Sequence, residues 1–240
     1  MELIIKKDLE QLSEKLAAWI VHYIQAKLSF QPYFSFVLSG GSTPVRLYQL
    51  LSSSPLKEKI EWERIHFFWG DERHVPLNDP KSNTGMAFKF LLDHIPFVKE
   101  QVHIINTKLD PMECAADYEK ILRNFFPQGD KTFDLLLLGL GDNAHTLSLF
   151  PGYDVVMEKK HWVRSYYLAE QSMYRITMTA PVANRSAAII FLVSGKDKAA
   201  AVKKVIEAEY NPGKYPAQVI RPVKGDLYWW LDEAAAGSTI

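Results

Sequence analysis

Two spacings of hydrophobic residues alternate along the chain. Across residues 8–27, apolar side chains fall at Leu9, Leu12, Leu16, Trp19, Ile20, Tyr23 and Ile24, the three-to-four-residue interval of one helical face. Residues 33–38 (YFSFVL) and 65–69 (IHFFW) are short, almost unbroken apolar runs bounded by polar residues, and these predict strands. Helices are predicted over 44–51, where proline stands in the first turn, over 84–92 and over 111–126. A short strand is predicted at 102–105 and longer ones at 133–138, 162–167, 174–179 and 187–193. A helix follows at 196–209, and the tail, 234–240, is expected to fray. Strands interleaved with helices predict crossover connections and an α/β fold on a mainly parallel sheet. No internal repeat or low-complexity linker divides the 240 residues, so one domain over 1–240 is expected.

Composition narrows the functional classes. Apolar residues make up 48% and charged residues 23%, ordinary values for a globular enzyme. Lys plus Arg and Asp plus Glu number 28 each, and this balance argues against a nucleic-acid footprint or a polybasic membrane surface. No apolar run approaches the ~20 residues of a membrane span, and MELIIKKDLE lacks the apolar core of a signal peptide. Cys114 is the single cysteine, so no intrachain disulfide forms; it falls in the 111–126 helix and reads as structural. A cytoplasmic location is expected, and no obligate protein partner is evident.

Chemistry concentrates in four turns. Residues 138–152, LGLGDNAHTLSLFPG, follow the apolar strand 133–138, so His145 falls just beyond the carboxyl end of a strand buried on both faces. The turn holds no second histidine and no cysteine, which favours acid/base work over metal ligation. The turn Ser39-Gly40-Gly41-Ser42-Thr43-Pro44 joins a strand to a helix; its glycines, hydroxyls and helix-start amides suit a phosphate, or else make a tight turn with a helix cap. Trp69-Gly70-Asp71-Glu72-Arg73-His74 sets three charges directly after an aromatic strand, either as site residues or as a solvated turn. Ser194-Gly195-Lys196-Asp197-Lys198 opens a helix, where a lysine opposes the helix dipole unless an anion offsets it. Arg175 lies in an alternating strand and reads equally as an outward-facing surface charge.

Taken in order, SGGSTP, WGDER, Ser82-Asn83, GLGDNAHTLSLFPG, YRITMTAP, LVSGKDKA and WWLDEAAA resemble the 6-phosphogluconolactonases, of the bacterial type related to glucosamine-6-phosphate isomerases. The similarity runs through nearly the whole chain. It implies a Rossmann-like sheet with helices on both faces. It also implies hydrolysis of 6-phospho-D-glucono-1,5-lactone to 6-phospho-D-gluconate, with a small sugar phosphate as partner and no cofactor or metal. His145 would then be the general base. Arg73 would orient the substrate or stabilise charge on the former carbonyl oxygen, and Asp71 would hold a sugar hydroxyl or position Arg73. Asn83 would touch the sugar and Asn143 would count among the substrate-binding residues, while Gly40, Gly41, Ser42, Thr43, Arg175 and Lys198 would cradle the phosphate. Similar sequences often carry Asp-Gly directly before this histidine, whereas this chain has Asn143 and Ala144. A neutral Asn143 oxygen should leave His145 a weaker base unless Asp142 supplies the charge. Amino-sugar phosphate isomerase/deaminases carry a glutamate five residues after the histidine; here that position is Phe150. A non-catalytic sugar-phosphate sensor would bring a helix-turn-helix domain, for which the chain has no room.

Overall fold

Asp8 begins the first long helix because its carboxylate accepts from the free Gln11 amide. The helix then buries Leu12, Leu16, Ile20 and Ile24 along one stripe, as their spacing requires. The computed structural model describes residues 1–237. Its elements run β1 (Glu2–Lys6), α1 (Leu9–Leu28), β2 (Phe34–Leu38), α2 (Thr43–Leu51), β3 (Ile65–Trp69), β4 (Asp71–Arg73), α3 (Asn83–Phe90), β5 (Val102–His103) and α4 (Pro111–Phe125). They continue with β6 (Leu135–Leu138), β7 (Val163–Leu168), β8 (Met173–Met178), α5 (Ala180–Ala183), β9 (Ala188–Val193), α6 (Ala199–Glu207), β10 (Asp226–Asp232) and α7 (Glu233–Ala236). No helix among the described residues is long and apolar enough to cross a membrane.

Seven strands form one sheet in the order β1-β10-β9-β6-β2-β3-β5, and every pairing in it is parallel. Every residue of β2, β6 and β9 is buried, as their continuous apolar runs foretell. Helices cover both faces. Tyr23 of α1 meets Phe34 edge-on at 5.9 Å, and Phe34 is in register with Ile65. Alternation turns Phe68 to the opposite face, where Phe125 of α4 meets it at 5.1 Å. The chain builds outward through β2, β3 and β5, then returns to the other side of β2 to lay down β6, β9 and β10. The order therefore reverses between β2 and β6, the place where open α/β sheets hold ligands. A second, antiparallel sheet, β4-β8-β7, stands over this edge.

Two tyrosines finish the central strands. The Tyr48 hydroxyl of α2 accepts from Ser39 N–H and donates to Ser39 C=O, both at 2.8 Å. The Tyr118 hydroxyl of α4 does the same for Trp69, at 2.9 and 3.0 Å. Both rings are fully buried, and burial pushes both phenols up. Each hydroxyl satisfies a backbone pair next to the end of the parallel ladder, so the chain can leave the sheet without stranding buried polar groups.

Predicted elements that formed lie within about two residues of their observed ends, except that α6 begins three residues late, after a 3-10 turn at Lys196–Lys198; three further differences stand out. Residues 226–232 and 2–6, unassigned above, are β10 and β1; β1 is an edge strand only five residues long, and its one neighbour, paired at Glu2↔Tyr228, lies 226 positions away in sequence. The tail begins ordered: Asp232 caps α7, and Ala235 and Ala236 are buried; the end of the predicted fray, 238–240, lies outside the described residues. Asp71–Arg73 is a strand, not a turn, because β8 pairs with it.

Candidate active site

The turns that follow β9, β6, β2 and β3 leave four adjacent strands at their carboxyl ends and enclose a pocket of about 240 Å³. Gly40, Gly41, Ser42, Thr43, Asp71, Arg73, Asn83, His145, Arg175 and Lys198 all line it. Asn143 is not on the wall, but it touches a residue that is.

Asn143 Oδ1 lies 2.5 Å from His145 Nδ1 and accepts the His145 backbone N–H at 3.2 Å. An atom that receives a backbone N–H must be the amide oxygen, so Nδ1 carries the proton and donates. Nε2 then keeps its lone pair and has no hydrogen-bond partner among the described residues. The ring stacks on Phe150 at 3.9 Å, interplanar angle 17°. Burial pushes its pKa down to about 4; Asp71 works against this, and Arg175 assists it. The imidazole is neutral at pH 7. Asp142 is exposed and reaches the ring only through its charge, which opposes the downward shift, whereas Asn143 is hydrogen-bonded to it, so the group that orients His145 is Asn143.

Gly141 makes room for the ring: a Cβ there would stand 2.0 Å from His145 Nδ1. Ala144 adopts φ 65°, the left-handed region that glycine occupies freely, and is buried. Its N–H bonds Gly141 O at 2.9 Å and its C=O accepts Ala217 N–H at 2.9 Å, which hold the turn in this conformation against a strain of about 1 kcal/mol.

Strand β4 presents Asp71 and Arg73 to the pocket. Asp71 Oδ2 accepts from Ser148 Oγ at 2.5 Å and lies 3.9 Å from Arg175 Nη1. Its ionic neighbour is thus Arg175, whereas Arg73 donates to Lys81 O at 2.6 Å. Arg175 is 3% exposed and pairs in register with Arg73 across the β4–β8 ladder, so it is a pocket wall and not a surface charge. Burial pushes the Arg175 guanidinium down; Asp71 offsets this, and Arg73 adds to it. The Nε donors of both arginines are buried without a partner. Two like charges side by side with unmet donors favour an anionic or oxygen-rich ligand between them.

The opposite wall is the start of α2. Ser42 precedes it and makes no side-chain cap bond, Gly41 has φ 88°, and Pro44 is in the first turn. Gly40 lies under Asn83, whose Oδ1 would be 1.8 Å from a Cβ there. Lys198 immediately precedes α6 and pairs with the exposed Asp197 at 3.1 Å. The turn that carries it is tied down by Asp232, which accepts from Ser194 Oγ, from Gly195 N at 3.1 Å and from Ala235 N at 2.7 Å. Among the described residues no group of three or more His, Cys, Asp or Glu is placed to hold a metal ion.

Sequence reading overlooked Ser148, Gly141 and Glu72. Ser148 has no signal of its own, since it meets Asp71 only through folding. All three lie within motifs already singled out. Glu72 alternates with Asp71 and Arg73 and so had to face the other way; it is 1% exposed. Burial pushes its carboxyl up, against backbone N–H donors that hold it down.

Residues 7–229 match a family model described as glucosamine-6-phosphate isomerases/6-phosphogluconolactonase. The chain is 36% identical to the 6-phosphogluconolactonase of Nostoc sp., covering 98% of this chain and 99% of that one. It is likewise 36% identical to the 6-phosphogluconolactonase of Haemophilus influenzae over 92% of this chain and 93% of the relative. The structure of 6-phosphogluconolactonase from Trypanosoma cruzi superposes with a TM-score of 0.84 at 30% identity, covering 98% of this chain and 95% of that one.

Proposed function

The chain belongs to the glucosamine-6-phosphate isomerase/6-phosphogluconolactonase family, and from that premise we propose that it hydrolyses 6-phospho-D-glucono-1,5-lactone to 6-phospho-D-gluconate in the oxidative pentose phosphate pathway. The observation that carries the reading is the His145 imidazole, its Nδ1 tied to Asn143 and its Nε2 left basic, in a pocket shared with two arginines and a lysine. Nε2 takes a proton as water oxygen attacks the lactone carbonyl carbon. Negative charge gathers on the former carbonyl oxygen, where Arg73 stabilises it. The C–O bond to the ring oxygen then breaks, and the imidazolium returns its proton to that oxygen. Asp71 and Asn83 face the sugar hydroxyls. The Gly40–Thr43 turn, Lys198 and Arg175 hold the phosphate. Phe150 leaves no carboxylate at the position where a deaminase has one.

Glucose-6-phosphate dehydrogenase generates the lactone, and the protein should accelerate its disappearance at neutral pH well beyond the spontaneous rate in a no-enzyme control. Equal rates with and without protein would sink the reading. Lys198→Ala should raise KM about 10-fold and leave kcat within about 3-fold, because a charged hydrogen bond to phosphate is equally strong in ground and transition states. Wild-type KM in that variant would remove Lys198 from the phosphate site.

The acid limb follows from the imidazole. A base with a pKa of about 4 stays competent as pH falls and is half-protonated only near that value, so kcat/KM should hold to about pH 5 and fall below it. Asn143→Asp puts a carboxylate against Nδ1–H, favours the imidazolium and should move the midpoint upward by roughly 1–2 units. Rate profiles of both proteins from pH 3.5 to 8 check this; coincident limbs would mean residue 143 does not set the basicity.

A further inference from the structure

Glu72 stands between Asp71 and Arg73 on β4 but faces away from the pocket, under the start of α3. Its two carboxylate oxygens take four donors. Oε1 accepts from Asn83 N at 2.7 Å and Arg73 N at 2.9 Å, and Oε2 accepts from Thr84 N at 2.8 Å and Ser82 Oγ at 3.1 Å. Ser82 Oγ in turn accepts from Gly85 N at 3.0 Å and so caps the helix. The spacing fixed here is the one on which pocket side chains hang. The Arg73 guanidinium is held by Lys81 O at 2.6 Å, and the Asn83 side-chain amide donates to Asp71 O at 2.9 Å and Oδ1 at 3.2 Å.

We propose that Glu72 is a positioning residue for the lactone hydrolysis, acting through Arg73, and this rests on the reaction assigned above. A buried carboxylate fits this place because all four partners are donors. A glutamine would turn an NH2 group toward two of them, leaving buried groups unsatisfied and opening the gap between β4 and residues 81–84. Of the groups assigned to the phosphate, residues 40–43 and Lys198 make no hydrogen bond to Glu72, and Arg175 neighbours it only across the β4–β8 ladder, so substrate binding should suffer less than turnover. A purely structural role, in which Glu72 only caps α3, predicts the same loss whatever residue occupies position 73.

The test is a double-mutant cycle with steady-state kinetics on the lactone, corrected for spontaneous hydrolysis, and circular dichroism to verify folding. Glu72→Gln should lower kcat about 10-fold with KM within about 3-fold. In the Arg73→Ala background the same change should cost less than about 2-fold. Equal factors in both backgrounds, or a folded Glu72→Gln variant with wild-type kcat, overturn the proposal. If Glu72→Gln does not fold, Ser82→Ala removes one donor to Glu72 together with the α3 cap; a loss of about 3-fold that vanishes with Arg73→Ala supports the proposal, and no loss or an additive one, as a cap alone would give, overturns it. A wild-type protein inactive on the lactone would overturn the reaction assignment and the role built on it, whereas an active one with additive losses overturns the role alone.

Discussion

Replacing His145 by alanine is expected to lower kcat by at least ~10², and up to ~10⁴, the range a positioned general base supplies. KM should change by only a few-fold, because none of the groups assigned to the phosphate is hydrogen-bonded to the ring, whose partner is Asn143. Folding should be little affected: the ring is only partly buried and its hydrogen bonds run to Asn143, two residues away. Wild-type and variant rates are compared after subtraction of spontaneous hydrolysis. A variant with unchanged kcat would take the imidazole out of the mechanism.

The second large effect is steric. Gly141→Ala inserts a methyl 2.0 Å from His145 Nδ1 and 2.1 Å from Cε1. The turn cannot easily yield, since Gly141 N–H donates to His145 O at 2.8 Å and Gly141 O accepts from Ala144 N–H at 2.9 Å. The ring must swing out and lose Asn143. We expect kcat to fall to within about 10-fold of His145→Ala, with the protein folded, as a misplaced catalytic group costs nearly as much as a missing one. A Gly141→Ala kcat equal to that of wild type would show that Gly141 does not matter for ring placement.

The elements most legible in the sequence were those whose burial is governed by local pattern. The Leu9–Leu28 stripe and the LLLL run of β6 each carry their environment in their spacing. Strands β1 and β4 do not, because each is defined by a partner far along the chain. Charge was the poorer guide. Arg175 in an alternating strand looks like a surface residue, yet it is buried because a second sheet folds over the crevice. Glu72 breaks the rule that carboxylates stay outside, and three of the four donors that permit it come from Ser82, Asn83 and Thr84 at the start of α3, ten to twelve residues on. His145 and Lys198 could be singled out by strand-end position, but the role of Asn143 needed the 2.5 Å contact.

The paired tyrosine fastenings at Ser39 and Trp69 bear on how this crevice meets its substrate. The ends of β2 and β3, both on one side of the turning point, are bolted to helices packed on the sheet, so the ordering of these two strand ends is completed when the chain folds and is not repeated at each turnover. On that side the crevice meets its guest as a wall already formed, and the cost of shaping it is met once, at folding.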